Sequence, residues 1–368
     1  MIKSLSVKGL NHRIDADLEF NEDLNVITGK NGSGKTTLLK LLWYLISGNF
    51  ERIVAEIPFE NVSIRTDAFS LAIGEFDADK IQVGSMFLGE KGPGGIGTVE
   101  EFKEHVLEEL RRNILNSTNG SLFFPTFRRI EGGYSSRSET DRSGMLSNSV
   151  AEMLQSSVKR FSSEISTNGH RFIASISTDD IGELLKHKYA DINEEISELQ
   201  SRVLEDISQR IQDVPSVLTD IQQVADERER LLRPFAVLSG LTQSILQYEA
   251  IRVPGRNDGG EAKNGITLGV GTGGAALEAA KEAIASDNLS SGEKQMLSFL
   301  CYNAFSESEA IFIDEPELSL HVDWQRLLLP TLLEQGTRNQ FFIATHSPFI
   351  YAKYPDKEIP LGDNGGAN

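Results

Sequence analysis

The chain has 368 residues, 39% of them apolar, which is enough material for one large domain or two modest ones. Its formal net charge of −18, from 54 acidic and 36 basic residues, excludes bulk attraction to nucleic acid, so any such contact has to come through a local basic patch or a partner. No apolar run approaches the roughly 18 residues of a membrane helix, and the N-terminus alternates like a strand rather than a secretion leader, so the expectation is a cytoplasmic protein with no membrane partner.

Residues 2–29 read as three strands, "IKSLSVKGL", "IDADLEF" and "LNVITG". The first two alternate partly, as in a half-buried antiparallel sheet, and the third is a short apolar run, as in a buried strand. That run enters "GKNGSGKTT" (29–37), which meets the spacing G-x-x-x-x-G-K-[ST] with Gly29, Gly34, Lys35 and Thr36. Glycine lets such a loop wrap until successive backbone N–H groups converge on phosphate oxygens, and Asn31, Gly32, Ser33 and Thr37 complete the cradle. Lys35 is expected to reach the β- and γ-phosphates, and the Thr36 hydroxyl to ligate Mg²⁺. "TTLLKLLWYLI" (36–46) follows as a helix whose N-terminus faces the phosphates.

Further strands are expected at "NVSIRT", "FSLAIG" and "KIQVGSMFLG" within 52–90, a loop at "GEKGPGGIGT" (89–98), and a helix at "VEEFKEHVLEELRRNIL" (99–115). "SLFFPTFRRIEGG" (121–133) is an apolar strand that breaks at Pro125 and runs into Arg128 and Arg129. Those arginines face phosphate, nucleic acid or a partner, or form a solvated salt-bridging pair; the sequence leaves the choice open. Residues 135–149 are rich in Ser, Arg, Asp and Glu and read as mobile. From about 150 to 250 the chain reads as mostly helical. Ile192, Ile196, Leu199, Val203, Ile207, Ile211 and Val214 share one face of a helix about 35 Å long, ended or kinked at Pro215. That pattern favours an ordinary amphipathic helix over an extended coiled coil. The glycine-rich stretch 253–274 reads as a flexible connection.

The last part carries a second cluster of motifs. "LSSGEKQ" (289–295) precedes an apolar helix holding the single cysteine, Cys301, expected to be a small core residue of a reducing compartment. "AIFIDEPELSLH" (310–321) and "QFFIATHSPFI" (340–350) each begin as continuous apolar strands, as in a parallel sheet covered on both faces. Ligands of such sheets sit at the carboxyl ends of the strands, and Asp314, Glu315 and His346 all lie there. Asp314 is expected to hold the Mg²⁺ shell, Glu315 to orient and deprotonate a water, and His346 to bond the γ-phosphate.

The P-loop, then "LSSGEKQ", "FIDEPE" and "ATHS", in that order, resemble the ATP-binding cassette ATPases. The resemblance implies an α/β fold: a P-loop core with a mixed sheet flanked by helices, split into 1–135 and 280–358, with a mostly helical insertion over 136–279 and a flexible tail at 359–368. It implies ATP and Mg²⁺ as ligands. It also implies a homodimer or higher even oligomer in which Ser290 and Gly292, from the signature motif Leu289–Glu293, contact the ATP held by the opposite subunit. Ser291 stands where many cassettes have glycine. Asn11, His12 and Arg13 occupy a loop where related ATPases touch nucleotide, Arg13 being the candidate, and Gln82 lies by order where the family has a glutamine loop.

"DEPELSLH" differs from the D-E-P-T-S-x-L-D of transporter cassettes and resembles the cassettes of SMC, RecF and OLD-type ATPases. "FFPTFRRIEGG" and "HSPFIYAKYPDKEI" resemble bacterial anti-phage defence ATPases of the Septu, PARIS and retron-associated kinds. The expected function is therefore a slow, regulatory ATPase that dimerises on ATP. It would control a separately encoded effector, an HNH or TOPRIM-like nuclease or a toxin, since the sequence beyond His346 leaves no room for a TOPRIM domain. The competing readings are a RecF- or SMC-like repair ATPase that binds DNA directly, a scaffold that uses ATP only as glue, and a transporter motor.

Overall fold

The structure is a computed structural model, and it describes residues 1–77, 80–87, 90–98, 106–126, 129–130, 156–209, 214–246, 251–252, 267–268 and 289–362. Arg128, the stretch 135–149, most of 253–274 and the first residues of the helix expected at 99–115 lie outside them.

The N-terminal elements are β1 (Ile2–Leu10), β2 (Ile14–Glu19), β3 (Leu24–Thr28), α1 (Lys35–Ser47), α2 (Phe50–Glu56), β4 (Asn61–Thr66), β5 (Phe69–Asp77) and β6 (Lys80–Phe87). Then come β7 (Glu90–Lys91), β8 (Gly95–Thr98), α3 (Val106–Ser117), β9 (Ser121–Phe124), β10 (Arg129–Ile130), β11 (His170–Phe172) and β12 (Ser175–Ile176). Two long helices, α4 (Thr178–Gln209) and α5 (Val214–Leu246), are followed by the short pair β13 (Ile251–Arg252) and β14 (Thr267–Leu268). The last elements are α6 (Ser291–Ala304), β15 (Ala310–Asp314), α7 (Val322–Glu334), β16 (Gln340–Ala344), α8 (Pro348–Tyr351) and β17 (Glu358–Pro360).

Two sheets organise the chain. One is antiparallel, in the order β2-β1-β4-β5-β6-β7, with β8 also on β6. The other is parallel throughout, in the order β11-β9-β15-β16-β3-β17. The alternation of side chains along each parallel strand divides the core. Phe312 and Phe342 face one cluster with α1 and the inner face of the antiparallel sheet, where their rings stack at 4.9 Å. Ile311, Ile313, Phe341 and Ile343 face a second cluster with α6 and α7. Both faces are covered, which is why these strands are apolar without interruption. Helix α1 lies between the two sheets, so it is buried almost all round, Trp43 completely.

Four features differ from the sequence reading. The single helix expected to end or kink at Pro215 is the first limb, α4, of an αα-hairpin whose second limb, α5, already contains Val214 and Pro215, and α4 and α5 pack on each other. Its base is fastened to the second cluster through Ile181, Leu185, Phe235 and Leu238, and Tyr189 meets Phe235 edge-on at 5.7 Å. Strand β11 lies inside the span assigned to the insertion, yet it is the edge strand of the parallel sheet. Residues 359–361, assigned to the tail, are held instead: β17 pairs with β3, and the Leu361 N–H donates to Thr28 O at 2.8 Å. "GEKGPGGIGT", read as a loop, supplies β7 and β8.

Candidate functional site

Strands β3, β16 and β15 are neighbours in the parallel sheet, so the residues at their carboxyl ends are brought together although they are far apart in sequence. After β3 the chain turns through Gly29, Gly32 and Gly34, with φ of 147°, 78° and 88°. At Gly34 a Cβ would lie 2.6 Å from Ile14 Cδ1, so the loop needs glycine for both conformation and space. Lys35, the first residue of α1, is buried, and its ammonium donates to Gly29 O at 3.0 Å and Lys30 O at 3.2 Å. Burial lowers the Lys35 pKa from its ordinary value, against the pull of Glu315, Asp314 and Glu317.

Asp314 ends β15 and is completely buried. The Thr36 hydroxyl donates to its Oδ1 at 3.1 Å, and the Thr126 hydroxyl donates to its Oδ2. Glu315 follows with a left-handed backbone, φ 47°, held by its N–H on Ala344 O at 2.8 Å. A non-glycine residue in that region is strained, and such strain gathers where a side chain must be aimed. His346 sits just past β16, with Nε2 2.7 Å from Lys35 Nζ and 3.7 Å from Glu315 Oε1. The ammonium can only donate, so the ring nitrogen accepts.

The β1–β2 turn closes the site from the other side. Asn11 Nδ2 donates to Thr37 Oγ1 at 3.1 Å, and the Arg13 guanidinium donates to Gly32 O. His12, in the same turn, is exposed. The turn expected to approach a nucleotide thus lies against the P-loop.

Ser290 caps α6. Its hydroxyl accepts from Glu293 N at 3.3 Å, and its N–H donates to Glu293 Oε2 at 2.7 Å, a closed capping box. Gly292 packs so tightly on the loop after β15 that a Cβ would lie 2.5 Å from Ser319 O. Ser290 is exposed, and its described side-chain bond runs to Glu293 rather than to the P-loop of its own chain.

One sequence expectation moves. Gln82 lies in mid-strand on β6, paired with Gly74 and Ile96 in the antiparallel sheet, not in a loop beside Asp314. The position beside Asp314 belongs to Thr126, in the turn after β9, which sequence reasoning missed because a lone threonine carries no motif. Arg129 is a residue of β10, pairing with Ser175. Cys301 is buried in the core, as expected, and burial pushes its thiol pKa up.

The donor set suits a nucleotide with Mg²⁺. Ser33 Oγ is buried within the P-loop and has no hydrogen-bond partner among the described residues, which leaves a donor for an anionic oxygen. Thr36 and Asp314 present the hard oxygen ligands that Mg²⁺ takes alongside phosphate.

A family profile described as "AAA domain, putative AbiEii toxin, Type IV TA system" matches residues 24–352. Endonuclease GajA of Bacillus cereus (strain VD045) is 40% identical over 63 residues, a match that spans 16% of this chain and 11% of that protein. Two solved structures align over 95% of this chain and 91% of their own. One is an Smc head domain with an extended coiled coil bound to the C-terminal domain of ScpA from Pyrococcus furiosus, at 14% identity and a TM-score of 0.40. The other is an SmcHead bound to the C-winged helix domain of ScpA, at 13% and 0.41.

Proposed function

The chain belongs to the family of AAA domains that the profile over residues 24–352 defines, and on that premise we propose that it is an ATPase that binds ATP with Mg²⁺, dimerises on it and hydrolyses it slowly. The observation that carries this reading is the convergence of Lys35, Thr36, Asp314, Glu315 and His346 at the ends of three adjacent parallel strands.

The roles follow from the chemistry of each group. Lys35 and the N–H groups of Asn31–Thr37 hold the β- and γ-phosphates, with the Ser33 hydroxyl among them. Thr36 and Asp314 hold Mg²⁺, which supplies positive charge to the phosphate oxygens. Thr126 keeps the Asp314 carboxylate turned toward Thr36. Glu315 accepts the proton of the attacking water, and His346 leaves Lys35 to hydrogen-bond the γ-phosphate. Ser290 and Gly292 act on the ATP held by a second copy, arranged head to tail. The core comprises 1–135 and 280–358 together with β11 and β17, and the hairpin is its insertion.

The wider task proposed is control of a separately encoded nuclease or toxin in anti-phage defence. The resemblance of "FFPTFRRIEGG" and "HSPFIYAKYPDKEI" to defence ATPases supports it, as does the partial identity with a protein named as an endonuclease. The test is twofold. Purified chain is assayed for phosphate release from ATP with Mg²⁺, and it is co-expressed with the neighbouring reading frames and challenged with phage. Phosphate release and co-purification with a nuclease-like neighbour are expected; a chain inert toward ATP overturns the reading.

A further inference from the structure

Glu317 belongs to the "DEPELSLH" text, and none of the roles above uses it. Its half-buried carboxylate lies on the loop after β15, but both of its oxygens are engaged by the loop after β16. Oε2 accepts from Thr345 Oγ1 at 2.8 Å, and Oε1 accepts from the His346 backbone N–H at 2.7 Å. Glu315, two residues before Glu317, faces the ring of the clamped His346 at 3.7 Å.

We propose that Glu317 is a positioning residue that fixes the backbone of His346 relative to Glu315 while leaving the imidazole free to exchange Lys35 for a nucleotide phosphate. The inference rests on the ATPase reading above for the meaning of that exchange, though the clamp itself does not. A carboxylate suits the task because it accepts two hydrogen bonds at once and has no proton to give. Charge-assisted bonds of this kind are about twice as strong as neutral ones. A threonine at 317, as in the D-E-P-T text, has one oxygen on a shorter stem and cannot accept from both donors at this spacing.

The surroundings separate this role from general support of the fold. The loop after β15 has other braces: Gln295 Nε2 donates to Pro316 O at 2.7 Å, and Gln325 Nε2 donates to Leu320 O at 2.9 Å. The loop after β16 has its own, since Ser347 Oγ donates to Gln325 Oε1 at 2.6 Å. Removing the Glu317 carboxylate therefore leaves both loops attached and frees specifically the Thr345–His346 step.

The experiment compares wild type, Glu317→Ala, Glu317→Gln, His346→Ala and the Glu317→Ala/His346→Ala double variant. Two readouts are needed, amide hydrogen exchange at His346 and steady-state ATPase kinetics with ATP affinity by calorimetry. Glu317→Ala is expected to exchange the His346 amide about ten-fold faster or more, since a charge-assisted bond is lost. Its kcat should fall about ten-fold or more with ATP affinity within about three-fold of wild type, and Glu317→Gln, which keeps one acceptor, should lie between. The double variant should turn over no more slowly than His346→Ala alone, because Glu317 acts through His346. Unchanged amide exchange overturns the clamp, and additive losses in the double variant overturn action through His346. A wild type that does not turn over ATP would overturn the ATPase reading instead, with amide exchange still deciding the clamp.

Discussion

Thr36 and Asp314 stand 278 residues apart in the chain, yet the threonine hydroxyl donates to the aspartate Oδ1 across 3.1 Å. The contact exists because β16 is inserted between β3 and β15, so the start of α1 and the end of β15 open on one edge of the sheet. A buried carboxylate needs partners, and Asp314 has two hydroxyls, one from each flank.

Lys35→Ala removes the charge that the P-loop presents to phosphate. Calorimetry should show ATP affinity lower by roughly 10²-fold, the scale of losing a pair of charge-assisted hydrogen bonds. The buried site keeps its fold, because Lys35 bonds its own loop carbonyls and not the sheet. Unchanged affinity would remove the P-loop from the mechanism.

His170 should make the fold sensitive to acid. It is 1% exposed, with Nδ1 2.7 Å from Ser121 Oγ, and that oxygen in turn accepts from Trp43 Nε1 at 3.0 Å. Burial pushes its pKa down from 6.5 to about 4. The native state thus favours the neutral ring. That contribution is fully present above pH 6.5 and is lost as pH falls toward 4, up to roughly 3 kcal/mol in all. Denaturant unfolding of wild type and His170→Gln between pH 7 and 4.5 checks this, because glutamine does not titrate. Wild type should lose more stability over that range than the variant; equal losses would contradict the prediction.

The head-to-tail arrangement predicts complementation. Ser290→Arg places bulk and positive charge at the exposed cap of α6 while leaving the P-loop of its own chain intact. Alone, it should bind ATP and fail to close. Mixed with Lys35→Ala chains, it forms dimers in which one composite site carries both lesions and the other carries neither. The mixture should recover hydrolysis if a single site fires, or ATP loading of the intact site if the two are coupled. Recovery of neither would contradict the arrangement.

Much of the site was legible because it is written in contiguous motifs. The run "LNVITGKNGSGKTT" contains a strand, a loop and a helix start with no help from the rest of the chain. The apolar runs 310–314 and 340–344 announced buried parallel strands, and the acids and histidine after them had to fall at the same edge. What remained hidden depended on partners far away in sequence. Thr126 is ordinary until β9 is set beside β15. Leu361 looks like part of a polar tail until its N–H is seen on Thr28 O. The pairing of α4 with α5 is not written in the apolar spacing of α4 alone. The distal part of α4 exposes Leu204, and α5 exposes Leu218 and Ile221, so apolar periodicity there marks neither the full length of α4 nor the bounds of α5. Gln82 was placed by order alone, and order does not say that β5 and β6 form an antiparallel pair.

The most direct test of the central claim is phosphate release from a saturating supply of ATP and Mg²⁺ by wild type and by Glu315→Gln, with bound nucleotide and particle mass followed by calorimetry and light scattering. The amide keeps the shape of the side chain but does not accept the proton of water, so release should fall by about 10²-fold or more. ATP should still bind, and the variant should accumulate as an ATP-bound dimer. A Glu315→Gln chain that releases phosphate at the wild-type rate would contradict the account, because the base it assigns would then be doing no chemistry.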